Sequence, residues 1–512
     1  MRTIKITFIF LLCVLSQMVH ARLELPKVIG SNMVLQRNAI SPIWGKGDPG
    51  SEVTVAISGQ VKKTKVLDNG KWIVNLDPIK TGGPYEMKIT SPSDEVTLTN
   101  ILVGEVWVCS GQSNMEWSVK GSKNPGEEID NAKYPSIRLF HVPRKASSFP
   151  ESDCNSSWKE CSPENIQNFS AVAYYFGRHL HNELKVPIGL IGSAWGGTRI
   201  EPWTPVSGFD SVPSLRSVAD KVRRFTDVNQ IVDRAQRWAD AVKRAVEDGR
   251  RIPSPPQVPK LNHGNPTGLY NGMIAPVVPF SVKGAIWYQG ESNVGEGMAY
   301  HDKMKALIAG WRDVFKNDDL SFYYVQIAPY RYNKGEALPD IWEAQTATLK
   351  VPGTGMAVIT DVGNIQDIHP RNKQAVGKRL ALWALAKDYG KKEVIFSGPL
   401  YKSMKVEGNK IRVEFTSTGG GLISRDGKDL SDFMISGSDN NFVEANAVID
   451  GDAVVVSAES ISDPKNVRFG WNELVTPTFP IKRGFQRVLL KLTNSNLVRY
   501  RIQQILFSRY IH

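Results

Sequence analysis

At 512 residues, 41% hydrophobic and 22% charged, the chain is long enough for two or three globular domains and lacks the composition of a disordered or collagen-like protein. Its formal charge of +12 raises nucleic-acid binding as a class, yet two positives stand in residues 1–21 and seven in residues 475–512, which leaves about +3 over residues 22–474. A body so close to neutral implies no basic groove and no nucleic-acid partner.

Residues 1–21 carry Arg2 and Lys5 ahead of an apolar stretch at 6–15, followed by Val19-His20-Ala21. This is the layout of an export signal peptide, too short to span a bilayer. The protein is expected to be exported, periplasmic or secreted, with no membrane contact once the leader is removed, because no later stretch could cross a membrane. The mature chain keeps Cys109, Cys154 and Cys161, an odd set that cannot build a disulfide scaffold. Cys154 and Cys161 are close enough to pair or to stay free, and Cys109 reads as a small buried hydrophobe.

Over residues 22–100 apolar positions recur with period two: Val53, Val55 and Ile57, then Trp72, Val74 and Leu76 after the turn Asp68-Asn69-Gly70, then Tyr85, Met87 and Ile89. That alternation predicts a small β-sandwich. Over residues 101–390 the texture changes to continuous apolar runs, "VPIGLIGSAWGG" (186–197), "VKGAIWYQGESN" (282–293) and "LSFYYVQIAP" (320–329), alternating with helical patterns such as "KQAVGKRLALWALAKDYG" (373–390). Apolar strands separated by helices predict a parallel sheet covered on both faces. A helical insertion over about 205–260, with Leu215, Val218, Val222, Val232, Trp238 and Val242 at helical spacing, is expected to pack one face on that domain. From 391 to 475 the period returns to two, as in "KIRVEF" (410–415) and "DAVVVSA" (452–458), which predicts a second β-module.

Ligands of open α/β sheets bind where loops leave the carboxyl ends of the strands. Four polar turns follow strands here: "SGQSNMEW" (110–117), "SAWGGTRIEPW" (193–203), "YQGESN" (288–293) and "DVGNIQDIHPRNK" (361–373). A serine in such a turn is commonly a turn former or helix cap. The company of Ser113 suggests a nucleophile, which needs a base and donors for a developing oxyanion. Among eight histidines, His369 is best placed as base, in a turn just before a helix; His263 lies in a loop that could reach a cleft. The backbone N–H of Ser113 and that of Gly196 or Gly197 are candidate oxyanion donors, to which Gln289 or Asn293 could add a side-chain amide. No HExxH, paired CxxC or P-loop occurs, so no metal and no cofactor is expected, and "CSGQSN" is not the GxSxG elbow of lipases.

The blocks "GEVWVCSGQSNMEW" (104–117), "WGGTRIEPW" (195–203), "WYQGESN" (287–293) and "IHPRNKQAVGKRLA" (368–381) resemble those of the sialate O-acetylesterase family within the SGNH-hydrolase superfamily, in its secreted bacterial form. The resemblance implies a flavodoxin-like SGNH hydrolase α/β/α core flanked by N-terminal and C-terminal β-sandwich modules, and removal of O-acetyl groups from carbohydrate, above all 9-O-acetylated sialic acid. It makes Ser113 the nucleophile and His369 the base, with Gly197 and Gln289 joining Ser113 in the oxyanion hole. Such enzymes usually place an aspartate three residues before the histidine. Here that position is Gln366, so either Asp367 orients the ring from an altered turn or a backbone carbonyl does. Arg199, Glu201, Trp203 and Asn293 are expected to shape the sugar site, Trp203 by stacking and Arg199 by pairing with a carboxylate, unless they form an ion pair and a core tryptophan. The competing readings are an acetylesterase of xylan or another plant polysaccharide, and a carbohydrate-binding protein without turnover. Residues 476–512 form a basic tail without an acid, unlike the acid-containing ending of the family; it reads as the product of a shifted frame or as a divergent basic helix.

Overall fold

The computed structural model of the chain describes residues 22–256, 260–424, 429–474 and 490–493; residues 1–21, expected to be a leader, and nearly all of the basic tail lie outside them. Its first strands are β1 (Val34–Gln36), β2 (Ser41–Lys46), β3 (Glu52–Ile57), β4 (Gln60–Lys65), β5 (Lys71–Leu76) and β6 (Gly82–Thr90). In β3, Val53, Val55 and Ile57 are buried while the residues between them are not, and β5 repeats the pattern with Trp72, Val74 and Leu76. One side chain in two therefore faces a core, the behaviour that period-two alternation encodes.

The next strand, β7 (Glu95–Gly111), is 17 residues long and serves two sheets. Its first part pairs antiparallel with β6 and its middle pairs parallel with β1. Its last part is a central strand of a larger sheet, between β10 (Ile188–Ala194) and β11 (Gly284–Tyr288). With β8 (Tyr134–His141), β9 (Trp158–Cys161), β12 (Ser321–Val325) and β13 (Thr354–Ala357), the spatial order is β13-β12-β11-β7-β10-β8-β9, all parallel except the pairing of β8 with β9. With the outlying β8 and β9 set aside, the order is the doubly wound one of flavodoxin-like sheets, which changes direction between β7 and β11.

Both faces of this sheet are covered, which is why its strands read as unbroken apolar runs. Phe322 and Tyr323, neighbours on β12, point to opposite sides. Tyr323 stacks on Trp107 and lies beside Trp383 of the helix Lys373–Lys387, whereas Phe322 meets Trp311 of the helix Ala299–Phe315 edge-on. Trp107 also meets Phe176 of the helix Ala171–Leu184, so the first face belongs to the two helices that pack on each other through Gly377, where a Cβ would stand 2.7 Å from the Phe176 nitrogen.

The insertion departs in part from expectation. The first of its two longer helices, Arg216–Phe225, buries Val222 and Ala219, the latter against Phe209, Val212 and Ala306. Its second, Val228–Glu247, buries Ala245 alone and leaves Val228, Val232 and Val246 more than half exposed. Only the first helix packs as the spacing predicts.

The C-terminal strands β14 (Leu400–Glu407), β15 (Lys410–Thr416), β16 (Phe433–Ser436), β17 (Val443–Glu444), β18 (Asn446–Asp450), β19 (Ala453–Ser457), β20 (Asn466–Phe469) and β21 (Leu490–Thr493) make two antiparallel sheets, ordered β14-β15-β19-β18 and β17-β16-β20-β21. The last strand pairs with β20, so the described part of the tail is strand. Cys109, Cys154 and Cys161 are free, and Cys154 and Cys161 do not pair. Cys161 ends β9, buried, with its thiol near the Ala132 carbonyl and pushed up to about 12 by burial.

Candidate active site

Three strand ends converge where the sheet changes direction. Gly111, at the end of β7, lies in register with Ala194 of β10 and Tyr288 of β11. At Gly111 φ is +146°, and a Cβ would stand 2.1 Å from the Tyr288 carbonyl oxygen. Glycine alone allows both the turn and the close approach. The chain then enters the four-residue helix Ser113–Glu116, whose cap position is Gln112, without a side-chain capping bond. Ser113 is therefore not the cap; its hydroxyl is directed elsewhere.

That hydroxyl meets His369 Nε2 at 2.8 Å, across 256 positions of sequence. The imidazole stacks on Trp117, ring centres 5.0 Å apart. Burial lowers the His369 pKa, the Lys373 cation lowers it further, and Asp367 acts in the opposite sense. A depressed pKa keeps the ring neutral near pH 7, as an acceptor of the serine proton requires.

Asp367 takes a different place from the one expected. Its Oδ1 accepts from the backbone N–H of His369 at 2.9 Å, and its own N–H donates to the Asn364 carbonyl at 3.0 Å. It shapes the turn and contributes charge, but the imidazole is not its hydrogen-bond partner.

The glycine pair resolves into two roles. The N–H of Gly196 donates to Glu116 Oε2 at 2.9 Å, and a Cβ on Gly196 would stand 3.2 Å from that of Ser113. Gly197, at φ +74°, has open space where a Cβ would point, and its N–H has no hydrogen bond among the described residues. Ser113, in the first turn of its helix, likewise has no helical acceptor for its N–H. Gln289 departs from expectation: its amide nitrogen donates to the Thr198 carbonyl at 3.1 Å and to Asn293 Oδ1 at 2.7 Å, and its oxygen accepts from Tyr300 at 2.8 Å. Both amide hydrogens are committed, so Gln289 holds the loop that carries Gly197 instead of offering a free donor.

The family model described as carbohydrate esterase, sialic acid-specific acetylesterase, matches residues 103–240 and 260–385. The chain belongs to the sialic acid-specific acetylesterase family. It is an esterase, and it is similar over most of its length to proteins named sialate O-acetylesterase: 35% identical to that of Rattus norvegicus over 419 residues (74% of this chain, 76% of the relative), and 33% identical to that of Homo sapiens over 425 residues (75% and 74%). The crystal structure of a carbohydrate acetylesterase from Xanthomonas citri superposes with a TM-score of 0.79 at 32% identity, covering 92% of this chain and all of the other.

Within this acetylesterase the four residues expected to touch sugar are otherwise engaged. Trp203 is fully buried, edge-on to Trp287, with its indole N–H on Thr198 Oγ1 at 3.0 Å; it is a core tryptophan. Asn293 is buried too, accepting from the Ile200 N–H at 3.1 Å and donating to Glu201 and Glu296. Burial opposes the charge on Glu201, but Lys303, 2.6 Å away, outweighs it and holds the carboxyl below its usual range. Arg199 is about half exposed and pairs with Glu296 and more loosely with Glu201, so its charge is already compensated.

Residues that motif spacing did not single out also frame the site. Glu116 ties Gly196 to Arg144, whose guanidinium lies 5.7 Å from the centre of the Trp195 ring, and His263 stacks on the same ring at 5.1 Å. Asn114, the residue after the serine, is buried together with its hydrogen-bond partners Glu291 and Lys373. Glu116, Asn114 and Glu291 stand inside the quoted blocks, so proximity to Ser113 was the available signal. Nothing local marks Arg144. Among the described residues no group of three His, Cys, Asp or Glu is arranged to hold a metal ion.

Proposed function

We propose that the protein removes acetyl groups from O-acetylated sialic acid by an acyl-enzyme route at Ser113. The observation that carries this reading is the 2.8 Å contact between Ser113 Oγ and His369 Nε2, beside two unclaimed backbone N–H groups. In the first half-reaction His369 takes the Ser113 proton as Oγ attacks the acetyl carbonyl, and the N–H groups of Ser113 and Gly197 receive the developing oxyanion. Collapse breaks the bond to the sugar oxygen, which leaves as the alcohol with the proton held by His369. A water molecule then gives its proton to His369 and attacks the acetyl-serine, releasing acetate and restoring the hydroxyl. Residues 1–21 as a leader, and hence export, are part of the proposal and are tested by sequencing the mature N-terminus.

Sialic acid as substrate is supported by the description of the family and the names of the relatives. The deciding experiment measures acetate released by the purified protein from 9-O-acetylated sialic acid and from acetylated xylan, with Ser113→Ala as blank. Release from the sialic acid, lost in Ser113→Ala, is expected. Release chiefly from xylan would move the substrate to plant polysaccharide, and binding without release would favour a carbohydrate-binding protein.

A further inference from the structure

A nucleophile and a base on separate turns stay within hydrogen-bond distance only if something joins the turns. In many serine hydrolases a carboxylate on the histidine ring does part of that work. Here Asp367 is spent on the main chain, so the joint must lie elsewhere.

It lies one residue after the serine. Asn114 is fully buried, and its Nδ2 donates to the carbonyl of Ile368, the residue before His369, at 2.9 Å. The same nitrogen donates to Glu291 Oε1 at 2.5 Å, while Asn114 Oδ1 accepts from Lys373 Nζ. Lys373 opens the helix that follows the histidine turn, is fully buried, and has its ammonium 5.1 Å from the centre of the Tyr288 ring. Glu291 sits in the short helix Glu291–Asn293 just beyond β11. One amide thus touches the serine turn, the histidine turn and the loop after β11.

We propose that Asn114, gripped between Lys373 and Glu291, is the positioning residue that sets Ser113 against His369 in place of a ring-bound carboxylate. The inference rests on the reading of Ser113 and His369 as nucleophile and base. The hydrogen bonds of Asn114 to Ile368, Glu291 Oε1 and Lys373 are buried, where each is stronger than in water, and a joint held by three of them fixes the Oγ to Nε2 distance. Charged partners make it stiffer, since removing either leaves its opposite uncompensated in a dry site. The network also reaches the base electrically. The groups facing Lys373 are Glu291 beyond β11, Asp367 and His369 from the preceding turn, and the Tyr288 ring, with Tyr332 beside Glu291. Burial draws Lys373 down to about 7 against the pull of Glu291 and Asp367, and its cation in turn lowers His369.

The test uses the full chain, 4-nitrophenyl acetate as substrate and diethyl 4-nitrophenyl phosphate as a covalent probe of the nucleophile. Asn114→Ala, with a circular dichroism spectrum like that of the parent, is expected to lose about 10- to 100-fold in kcat with KM changed less than about twofold, and to react with the phosphate ester more slowly by a similar factor. Asn114→Asp keeps the shape and the acceptor for Lys373 but cannot donate to Ile368, and is expected to lose as much. Lys373→Met removes the cation, so the acid limb of kcat/KM is expected to move to higher pH, a change that a purely structural role would not produce. A folded Asn114→Ala or Asn114→Asp protein with kcat within about threefold of the parent overturns the proposal, as does an unmoved acid limb in Lys373→Met. Turnover surviving in Ser113→Ala overturns instead the reading on which it rests.

Discussion

Asp367 and His369 are joined through the main chain: the aspartate Oδ1 accepts from the histidine backbone N–H at 2.9 Å, while the imidazole Nε2 serves Ser113. Asp367→Asn keeps an acceptor for that N–H and removes only the charge. Its kcat is expected to fall less than about 10-fold, against the roughly 10⁴-fold loss that follows when a ring-orienting aspartate is replaced. The Asp367 charge raises the His369 pKa, so the acid limb of kcat/KM should move to lower pH in the variant; a pH series on both proteins checks it.

The parent's own acid limb carries a sign that can be measured. Only the neutral ring accepts the serine proton, and burial together with Lys373 depresses its pKa. Activity should therefore climb through a midpoint below about 6.5, the ordinary histidine value, and level off by neutral pH. The same depression means that the folded state disfavours the protonated ring. Its contribution to stability is then lost as pH falls from the ordinary value through the depressed one, which unfolding at graded pH would register.

Gln289 distinguishes a brace from an oxyanion donor. Gln289→Ala removes the donor of the buried Thr198 carbonyl, and the expected loss of stability is about 1–3 kcal/mol, seen as a lower urea midpoint, with a weaker effect on kcat. A side chain that touched the oxyanion would instead cost roughly 10²–10³ in kcat with the urea midpoint unmoved.

The two glycine turns should respond unequally. Gly111→Ala drives a Cβ into the Tyr288 carbonyl, and overpacking of this kind costs roughly 1–3 kcal/mol before backbone strain is added. A lower melting temperature and a kcat reduced more than about 100-fold are expected, because the turn carries Ser113, the proposed nucleophile. At Gly197 the added methyl meets open space, so Gly197→Ala should show the cost of positive φ alone, about 1–2 kcal/mol, with the smaller loss of rate.

Trp203 lies in the core, and Trp203→Phe tests that placement. The shorter ring loses the indole bond to Thr198 and part of its packing against Trp287, so the melting temperature should fall while KM for the acetylated sugar stays unchanged. A raised KM with unchanged melting would return the residue to the sugar.

What could be read in the chain and what could not divide along a physical line. The strands β10, β11 and β12 are buried at every position, so their apolar runs state both their existence and their covered faces. Ser113 and His369 stand in polar turns after such strands, and a doubly wound sheet brings those turns to one rim. Asp367, Gln289 and Asn293 differ because a short polar side chain has several acceptors and donors within reach, and which one it takes depends on backbone placement within an ångström. Trp203 has equal claims on a core and on a sugar until its neighbours are known. The long helix of the insertion carries the periodicity of a packed helix, yet Val228, Val232 and Val246 are exposed, since periodicity records an apolar face and not what covers it.

The seventeen residues of β7 carry a further consequence. The same strand that is stitched into the N-terminal sheet at Glu95 delivers the chain to Gly111 and, two residues on, to Ser113. The amino-terminal module is thus not joined to the larger sheet by a loop; a cut between Glu95 and Gly111 falls within a strand that pairs in both sheets. Amide exchange along 95–111 should accordingly proceed as one cooperative opening, with the protection of the Ser113 turn inherited from the amino-terminal sheet.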